Sequence, residues 1–257
     1  MKNKKKKMKR KGILLLPVLL FLFGLLVLLY PSYTDWRYRE DVRDQKEVFE
    51  QETAEEAAKD NMEGRPGELP FEELYQELKQ RNETLYREHQ KNLTDPWAYE
   101  QPGIDLTAYG LEGNTIGFLS IPQMEIELPI LLGANRENMA LGAVHLTETS
   151  YPVGGENTNC VIAAHRGYAK TAMFRNIEKL ETGDEIYIEN FRERLVYKVA
   201  ETRVIDPADI DQLLIQEGRD LVTLITCHPY RHNYQRYVVF CERVLRDTEI
   251  VTEPLNQ

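Results

Sequence analysis

Cysteine is scarce in this chain: Cys160, Cys227 and Cys241 are the only three among 257 residues, too few to build a disulfide-held scaffold. An odd count leaves at least one thiol that pairing does not explain, and Cys227 is the candidate. Cys160 and Cys241 sit in apolar runs and read as buried free thiols; a disulfide between them stays open, because sequence does not give their separation. Positive charge is also thin over most of the chain. Lys2, Lys4, Lys5, Lys6, Lys7, Lys9, Arg10 and Lys11 crowd the start without an acid among them, and setting those eight aside from the formal net charge of −10 leaves −18 on the remainder. So acidic a body lacks the cationic face that a nucleic-acid partner requires. There is no internal repeat, no low-complexity stretch beyond the basic run and an acidic one, and no spacing among His145, His165, His228 and His232 that suits zinc.

The basic flank, residues 1–12, is followed by an uncharged apolar stretch over residues 13–30, near the lower limit of what spans a bilayer. Pro17 and Gly24 inside it are tolerated in membrane helices. A cleaved signal peptide is the rival reading, but Pro31-Ser32-Tyr33 is not an A-x-A-like cleavage site. The expectation is therefore an uncleaved single-pass anchor in the cell membrane, with lipid bilayer as the partner of residues 13–30. The basic flank stays cytoplasmic and the acidic body lies outside.

Residues 31–69 read as an acidic stalk or linker: Glu47, Glu50, Glu52, Glu55 and Glu56 come without an apolar stripe to nucleate a core, and Gly64-Arg65-Pro66-Gly67 breaks the segment. Phe71, Leu74, Tyr75, Leu78, Asn82 and Leu85 then fall at i, i+3, i+4, i+7 spacing with one polar interruption. They predict an amphipathic helix of about five turns within residues 70–92, packed on the domain downstream of it; His89 in it reads as a surface residue. A connecting segment, 93–103, leads to a β-rich domain, 104–247, and a polar tail, 248–257. The expected strands are Ile116 to Ile121, Ile126 to Leu131, Cys160 to Ala164, Glu185 to Ile188, Leu195 to Ala200, Leu221 to Thr226 and Tyr237 to Val244, with a short helix over Met173 to Leu180. Such a series is mainly β and favours a closed barrel or a sandwich.

Chemistry concentrates at three strand ends. Thr223-Leu224-Ile225-Thr226-Cys227 delivers a thiol to the last position of an apolar run before the Pro229 loop, where a strand can fix it at a cleft. Val161-Ile162-Ala163-Ala164 ends at His165, with Gly167 permitting a sharp exit; an imidazole can exchange protons near neutrality and activate a thiol. Arg236 opens the run Tyr237-Val238-Val239-Phe240 and carries a permanent cation able to face a developing oxyanion. Taken singly, each has an ordinary reading: a buried inert thiol, a structural histidine, a surface arginine.

Together they resemble the sortase family. Thr-Leu-Ile-Thr-Cys at 223–227 is similar to the family's T-L-x-T-C signature, His165-Arg166-Gly167 to its histidine segment, and Arg236 stands nine positions after the cysteine as the family arginine does. Ile116-Gly117-Phe118-Leu119-Ser120-Ile121-Pro122 with Leu128-Pro129-Ile130, Gly142-Ala143-Val144-His145-Leu146, Pro152-Val153-Gly154-Gly155, and Phe174 to Leu180 with Gly183-Asp184 extend the resemblance across most of Thr115 to Val244. It implies an eight-stranded β-barrel and a cysteine transpeptidase without metal or organic cofactor. By that resemblance Cys227 attacks a threonine carbonyl in a Leu-Pro-x-Thr-Gly type sorting motif, His165 protonates the departing amine and Arg236 steadies the oxyanion. The thioester then waits for an acceptor amine. Thr226, His145 and His228 are expected as accessory residues; His145 packs or hydrogen-bonds, and His228 is a solvated loop residue able to tune the thiol.

Leu93-Thr94-Asp95-Pro96-Trp97 resembles the lid of class C, pilus-assembling members, which implies that Asp95 pairs with Arg236, Trp97 shields Cys227, and the acceptor amine is a pilin lysine. Without that resemblance the same residues make a helix-to-barrel linker with an Asp-Pro turn. Two features depart from class C: His228 stands where a smaller residue is common, and Thr248 to Gln257 are polar where many members have a second hydrophobic segment. A housekeeping sortase, acting on a peptidoglycan cross-bridge amine, is the nearest alternative. An anchored extracellular binding scaffold is the non-enzymatic one.

Overall fold

In the computed structural model the described residues are 2–62, 71–167 and 171–244, with side chains of the first helix described from 17 to 59. The Gly64–Gly67 break and the 248–257 tail fall outside them. One helix, α1 (Lys2–Met62), carries both the apolar segment and the acidic one without interruption. Its most apolar stretch reaches a mean hydropathy of 1.8 over 18 residues, long and apolar enough to cross a membrane. Exposed ion pairs one turn apart, Arg39–Asp35 at 3.0 Å and Arg43–Glu40 at 2.7 Å, support the acidic half.

That half has a packing face, which corrects the expectation of a stalk without one. Val42 and Phe49 are buried, Tyr38 packs beside them, and the Tyr38 hydroxyl donates to the Leu141 carbonyl at 2.8 Å. Lys46, between them on the same face, reaches Glu127 at 2.8 Å and Glu189 at 3.0 Å. Phe49 meets Phe118 edge to face at 5.6 Å.

The barrel closes through eight strands, β1 (Thr115–Ile121), β2 (Ile126–Leu132), β3 (Ala143–His145), β4 (Thr158–Ala163), β5 (Glu185–Asn190), β6 (Arg194–Ile205), β7 (Asp220–His228) and β8 (Gln235–Arg243), in the order β1-β2-β3-β4-β7-β8-β6-β5. Two pairs, β2/β3 and β4/β7, are parallel and the rest antiparallel. Seven strands fall where the short β-rich runs predict them; β3 and the short helix α3 (Arg136–Leu141) before it are additional. At Gly117, where β1 bulges, a Cβ would run into the Glu189 carbonyl oxygen of β5, so only glycine lets the strands close there.

Alternation along the strands separates two apolar clusters. Cys160, Ile162, Val222, Leu224, Val239 and Cys241 point inward. Val161, Ala163, Ile225, Val238 and Phe240 point outward, and Leu93, Trp97 and Leu213 cover them. Cys160 and Cys241 are both free thiols. Each pairs with Val222 from opposite sides, so two strand spacings, about 9–10 Å, part them, beyond disulfide reach.

The amphipathic helix, α2, runs Glu72–Arg87, shorter than expected. Leu74, Leu78 and Asn82 are its buried residues. The polar interruption is a latch: Asn82 Oδ1 accepts from the Tyr151 N–H at 2.7 Å and its Nδ2 donates to the Tyr151 carbonyl at 3.2 Å. The Met173–Lys179 segment is 3₁₀ in character with a kink, not a regular helix. Asn82→Ala leaves the buried Tyr151 N–H unpaired, while the Tyr151 carbonyl keeps its bond from the Val153 N–H at 2.8 Å, so it is expected to cost about 2 kcal/mol in denaturant unfolding.

Candidate active site

β7 lies between β4 and β8, and its end decides what meets there. Ala163 of β4 is paired with Ile225, and His165 and Cys227 each lie two residues further along their parallel strands. On the other side Cys227 is directly opposite Arg236 of β8. Being two positions from Ile225, Cys227 shares its outward face, and the side chain is half-buried. Thr226 points the other way, buried, and its hydroxyl donates to the Ala164 carbonyl at 2.7 Å, tying β7 to the residue before His165. The His165 carbonyl accepts from the N–H groups of Gly167 at 2.8 Å and Phe174 at 3.1 Å. Gly167 has φ +89°, a turn that suits glycine and lets the chain double back.

Arg236 is buried with every nitrogen engaged. Its Nε donates to Asp95 Oδ1 at 2.8 Å and its Nη2 to Asp95 Oδ2 at 2.6 Å; Nη1 donates to the carbonyls of Asn233 and Gln235 at 3.2 and 3.0 Å. The Trp97 ring stacks on the guanidinium, 4.5 Å from centroid to Cζ. Asp95 precedes a single 3₁₀ turn, Pro96–Ala98. The segment is pinned at both ends, by buried Leu93 and by Glu100, which accepts from Thr94 Oγ1 at 2.7 Å and the Thr147 N–H at 3.0 Å.

Burial raises the Cys227 thiol above its ordinary value; Arg236 pulls it back, Asp95 pushes it further up, and Arg166 pulls it down. Burial also lowers the His165 imidazolium. Both shifts favour the neutral thiol and imidazole. Asp95 therefore opposes the pull of Arg236 on the thiol.

Residues 119–244 match the Sortase domain family model. The chain is 30% identical to Sortase A of Bacillus anthracis over 179 residues, covering 66% of this chain and 83% of that protein. This chain belongs to the sortase family. Among solved structures, Sortase C1 of GBS Pilus Island 1 superposes with a TM-score of 0.61 at 34% identity, covering 68% of this chain and 89% of that one. The sortase C of Streptococcus pneumoniae gives 0.58 at 31%, covering 70% and 96%. The sortase therefore has class C, pilus-related enzymes as structural neighbours, and its family is one of cysteine transpeptidases.

The remaining expected residues sit apart from the thiol's face or differ in character. His145 points inward from β3, buried, with Nε2 3.2 and 3.1 Å from the Thr149 and Ser150 carbonyls. Only an Nε2–H can satisfy both, so the neutral tautomer is fixed. His228 is the last residue of β7 and not a solvated loop residue: its Nδ1 accepts from Arg166 Nη1 at 2.8 Å. Reasoning from sequence missed the depth of Arg166, which is buried and paired with Glu178 at 2.5 Å. An arginine beside the candidate histidine was the available signal.

Removing the Asp95 charge is expected to leave Arg236 uncompensated and to lower the thiol's pKa. Asp95→Asn should therefore raise alkylation of Cys227 by iodoacetamide at neutral pH by about tenfold, the factor of one pKa unit, followed by mass spectrometry. Burial lowers His145 from 6.5 to about 4. Its folded value lies below its unfolded one, so the associated stability is present above about pH 6.5 and drains away as pH falls toward 4. Unfolding free energy of the parent should drop more steeply across that window than that of His145→Gln, by up to about 3 kcal/mol in total.

Proposed function

We propose that this sortase is a membrane-anchored transpeptidase that joins a Leu-Pro-x-Thr-Gly type sorting motif to an amine, with a pilin lysine as acceptor. Cys227 as thiolate attacks the threonine carbonyl carbon, and the carbonyl electron pair moves onto oxygen. Arg236 donates to that oxyanion. As the intermediate collapses, the C–N bond to glycine breaks and His165 passes a proton to the leaving amine, giving a thioester. The acceptor amine then adds to the thioester carbonyl, gives a proton to His165 and expels the Cys227 thiolate. The bond energy of the cleaved amide is conserved in the thioester, so no nucleotide is consumed outside the membrane.

The observation that carries this reading is the bidentate Asp95–Arg236 pair set opposite Cys227. With four of its five N–H groups engaged, two of them in the bidentate pair with Asp95, the guanidinium is not free to turn its fork to an oxyanion, so the 93–103 segment acts as a lid that releases Arg236 for turnover. A lid carrying an acid and an aromatic stacked on the arginine fits the class C neighbours better than the housekeeping alternative. Residues 13–30 hold the enzyme in the membrane with residues 1–12 cytoplasmic and the barrel, 104–247, outside.

The test uses the full chain in detergent, incubated with a Leu-Pro-x-Thr-Gly peptide and either a lysine-bearing pilin-type peptide or an oligoglycine amine. A thioester adduct and an amine-exchanged product are expected, lost in Cys227→Ala, lowered by several orders of magnitude in His165→Ala, and increased in Trp97→Ala. Exchange that survives Cys227→Ala sinks the mechanism. Exchange with oligoglycine alone moves the enzyme to the housekeeping type.

A further inference from the structure

While Arg236 is held by Asp95, a second guanidinium reaches the backbone of Cys227. Arg166 is buried, its side chain 4% exposed. Its Nη1 lies 2.8 Å from His228 Nδ1 and 3.5 Å from the Cys227 carbonyl oxygen, its Nη2 2.5 Å from Glu178 Oε2, and its Cζ 5.8 Å from the Tyr237 ring centroid. These partners come from the end of β7, the 3₁₀ segment after His165, and β8. Because an arginine only donates, His228 Nδ1 is the acceptor in that bond. His228 Nδ1 also lies 3.4 Å from Glu178 Oε1, closing a three-member cluster around one buried cation.

Arg166 follows His165 in the chain and touches the backbone of Cys227. It therefore spans the two strand ends whose relative placement a proton transfer depends on, and Glu178 and His228 offset the desolvation of its Nη groups, while its buried Nε has no hydrogen-bond partner among the described residues. Among the described residues the charges acting on the thiol are Arg236 from β8, Asp95 from the lid and Arg166 after β4, and Arg166 is itself faced by His228 from β7 and Glu178 from the 3₁₀ segment. Each arginine has its own carboxylate, Asp95 for Arg236 and Glu178 for Arg166, and both cations lower the thiol, Arg236 more than Arg166.

We infer that Arg166 is a positioning residue for the transpeptidation: held by Glu178 and His228, it fastens the His165 strand end to the Cys227 strand end and supplies the cation that favours the thiolate while the lid keeps Arg236 occupied. The inference rests on Cys227 as nucleophile, and it separates two duties that one residue performs. The charge acts on thiol ionisation, and the planar fork acts on geometry. A lysine preserves the first and not the second.

The experiment measures, on the full chain in detergent with Asp95 and Trp97 intact, the pH dependence of Cys227 alkylation by iodoacetamide and the kcat and KM of peptide exchange. Arg166→Gln is expected to raise the apparent inflection, which belongs to the Cys227–His165 pair, by about one pH unit. Arg166→Lys should keep the parental inflection while its kcat falls about tenfold with KM unchanged, the signature of misplaced reacting groups. An Arg166→Gln inflection that coincides with the parent, or Arg166→Lys exchanging at parental kcat, overturns the inference. If circular dichroism shows Arg166→Gln misfolded, Arg166→Lys decides alone. Alkylation does not require turnover, so a parent that alkylates normally yet exchanges nothing speaks against the proposed function and leaves the electrostatic half of this inference tested.

Discussion

The placement of one strand between two neighbours of opposite sense governs the site. β7 runs parallel to β4 and antiparallel to β8, so the C-terminal ends of β4 and β7 and the N-terminal end of β8 meet at one rim. Side chains directly opposite share a face, so the register Cys227↔Arg236 sets the cysteine and arginine on one outward surface, and the register Ala163↔Ile225 brings His165, two residues past Ala163, to the same rim. A slip of one residue in either register would turn one of them away. What prevents it is the inward row, Cys160, Ile162, Val222, Leu224, Val239 and Cys241, which has nowhere else to be buried, together with the Thr226–Ala164 bond at the rim itself.

Electrostatics at that rim balances two opposing demands. Burying a thiol and an imidazole disfavours their ion pair, and both Cys227 and His165 move that way. Two arginines oppose the shift, and each has its own carboxylate, Asp95 for Arg236 and Glu178 for Arg166. The carboxylates differ in attachment. Glu178 belongs to a segment packed into the core through Phe174 and Ile177, whereas Asp95 precedes a short 3₁₀ turn laid on the outside of the barrel, held by Leu93 and Glu100 at its ends and by the Arg236 and Trp97 contacts between them. In the proposed mechanism, displacing the Asp95 segment would change both the field at the thiol and the donors free for an oxyanion, so one movement would serve activation and transition-state binding together.

Much of this was legible in the sequence, and the exceptions share a cause. Seven strands showed themselves as short β-rich runs between turn residues, and the three strand-end residues by their positions at the ends of apolar runs. β3 did not, because Ala143–His145 is three residues long and owes its existence to pairing with Ile130–Leu132 of β2; no local pattern encodes it. Asn82 broke an apolar stripe and so looked like a defect, whereas it satisfies both backbone groups of Tyr151 sixty-nine positions away. Arg166 was visible as a charge but not as a buried one, since depth depends on Glu178 and His228 arriving from distant elements. Each omission is a long-range pairing with a weak local signal.

The first helix follows the same rule with a larger consequence. Among its many acids the stripe Tyr38, Val42, Lys46 and Phe49 is easily overlooked, because its third member is charged; yet Lys46 is bonded to Glu127 and Glu189 and belongs to the packed face. The apolar segment ends at Tyr30 and the stripe begins at Tyr38, eight residues later in one unbroken helix, about 12 Å at 1.5 Å per residue. A flexible stalk would let the barrel sample many heights and orientations relative to the apolar segment. A helix fastened to β1, β2 and β5 through these contacts admits essentially one, so the direction in which the Cys227 rim faces is set by the same residues that hold the barrel to its helix.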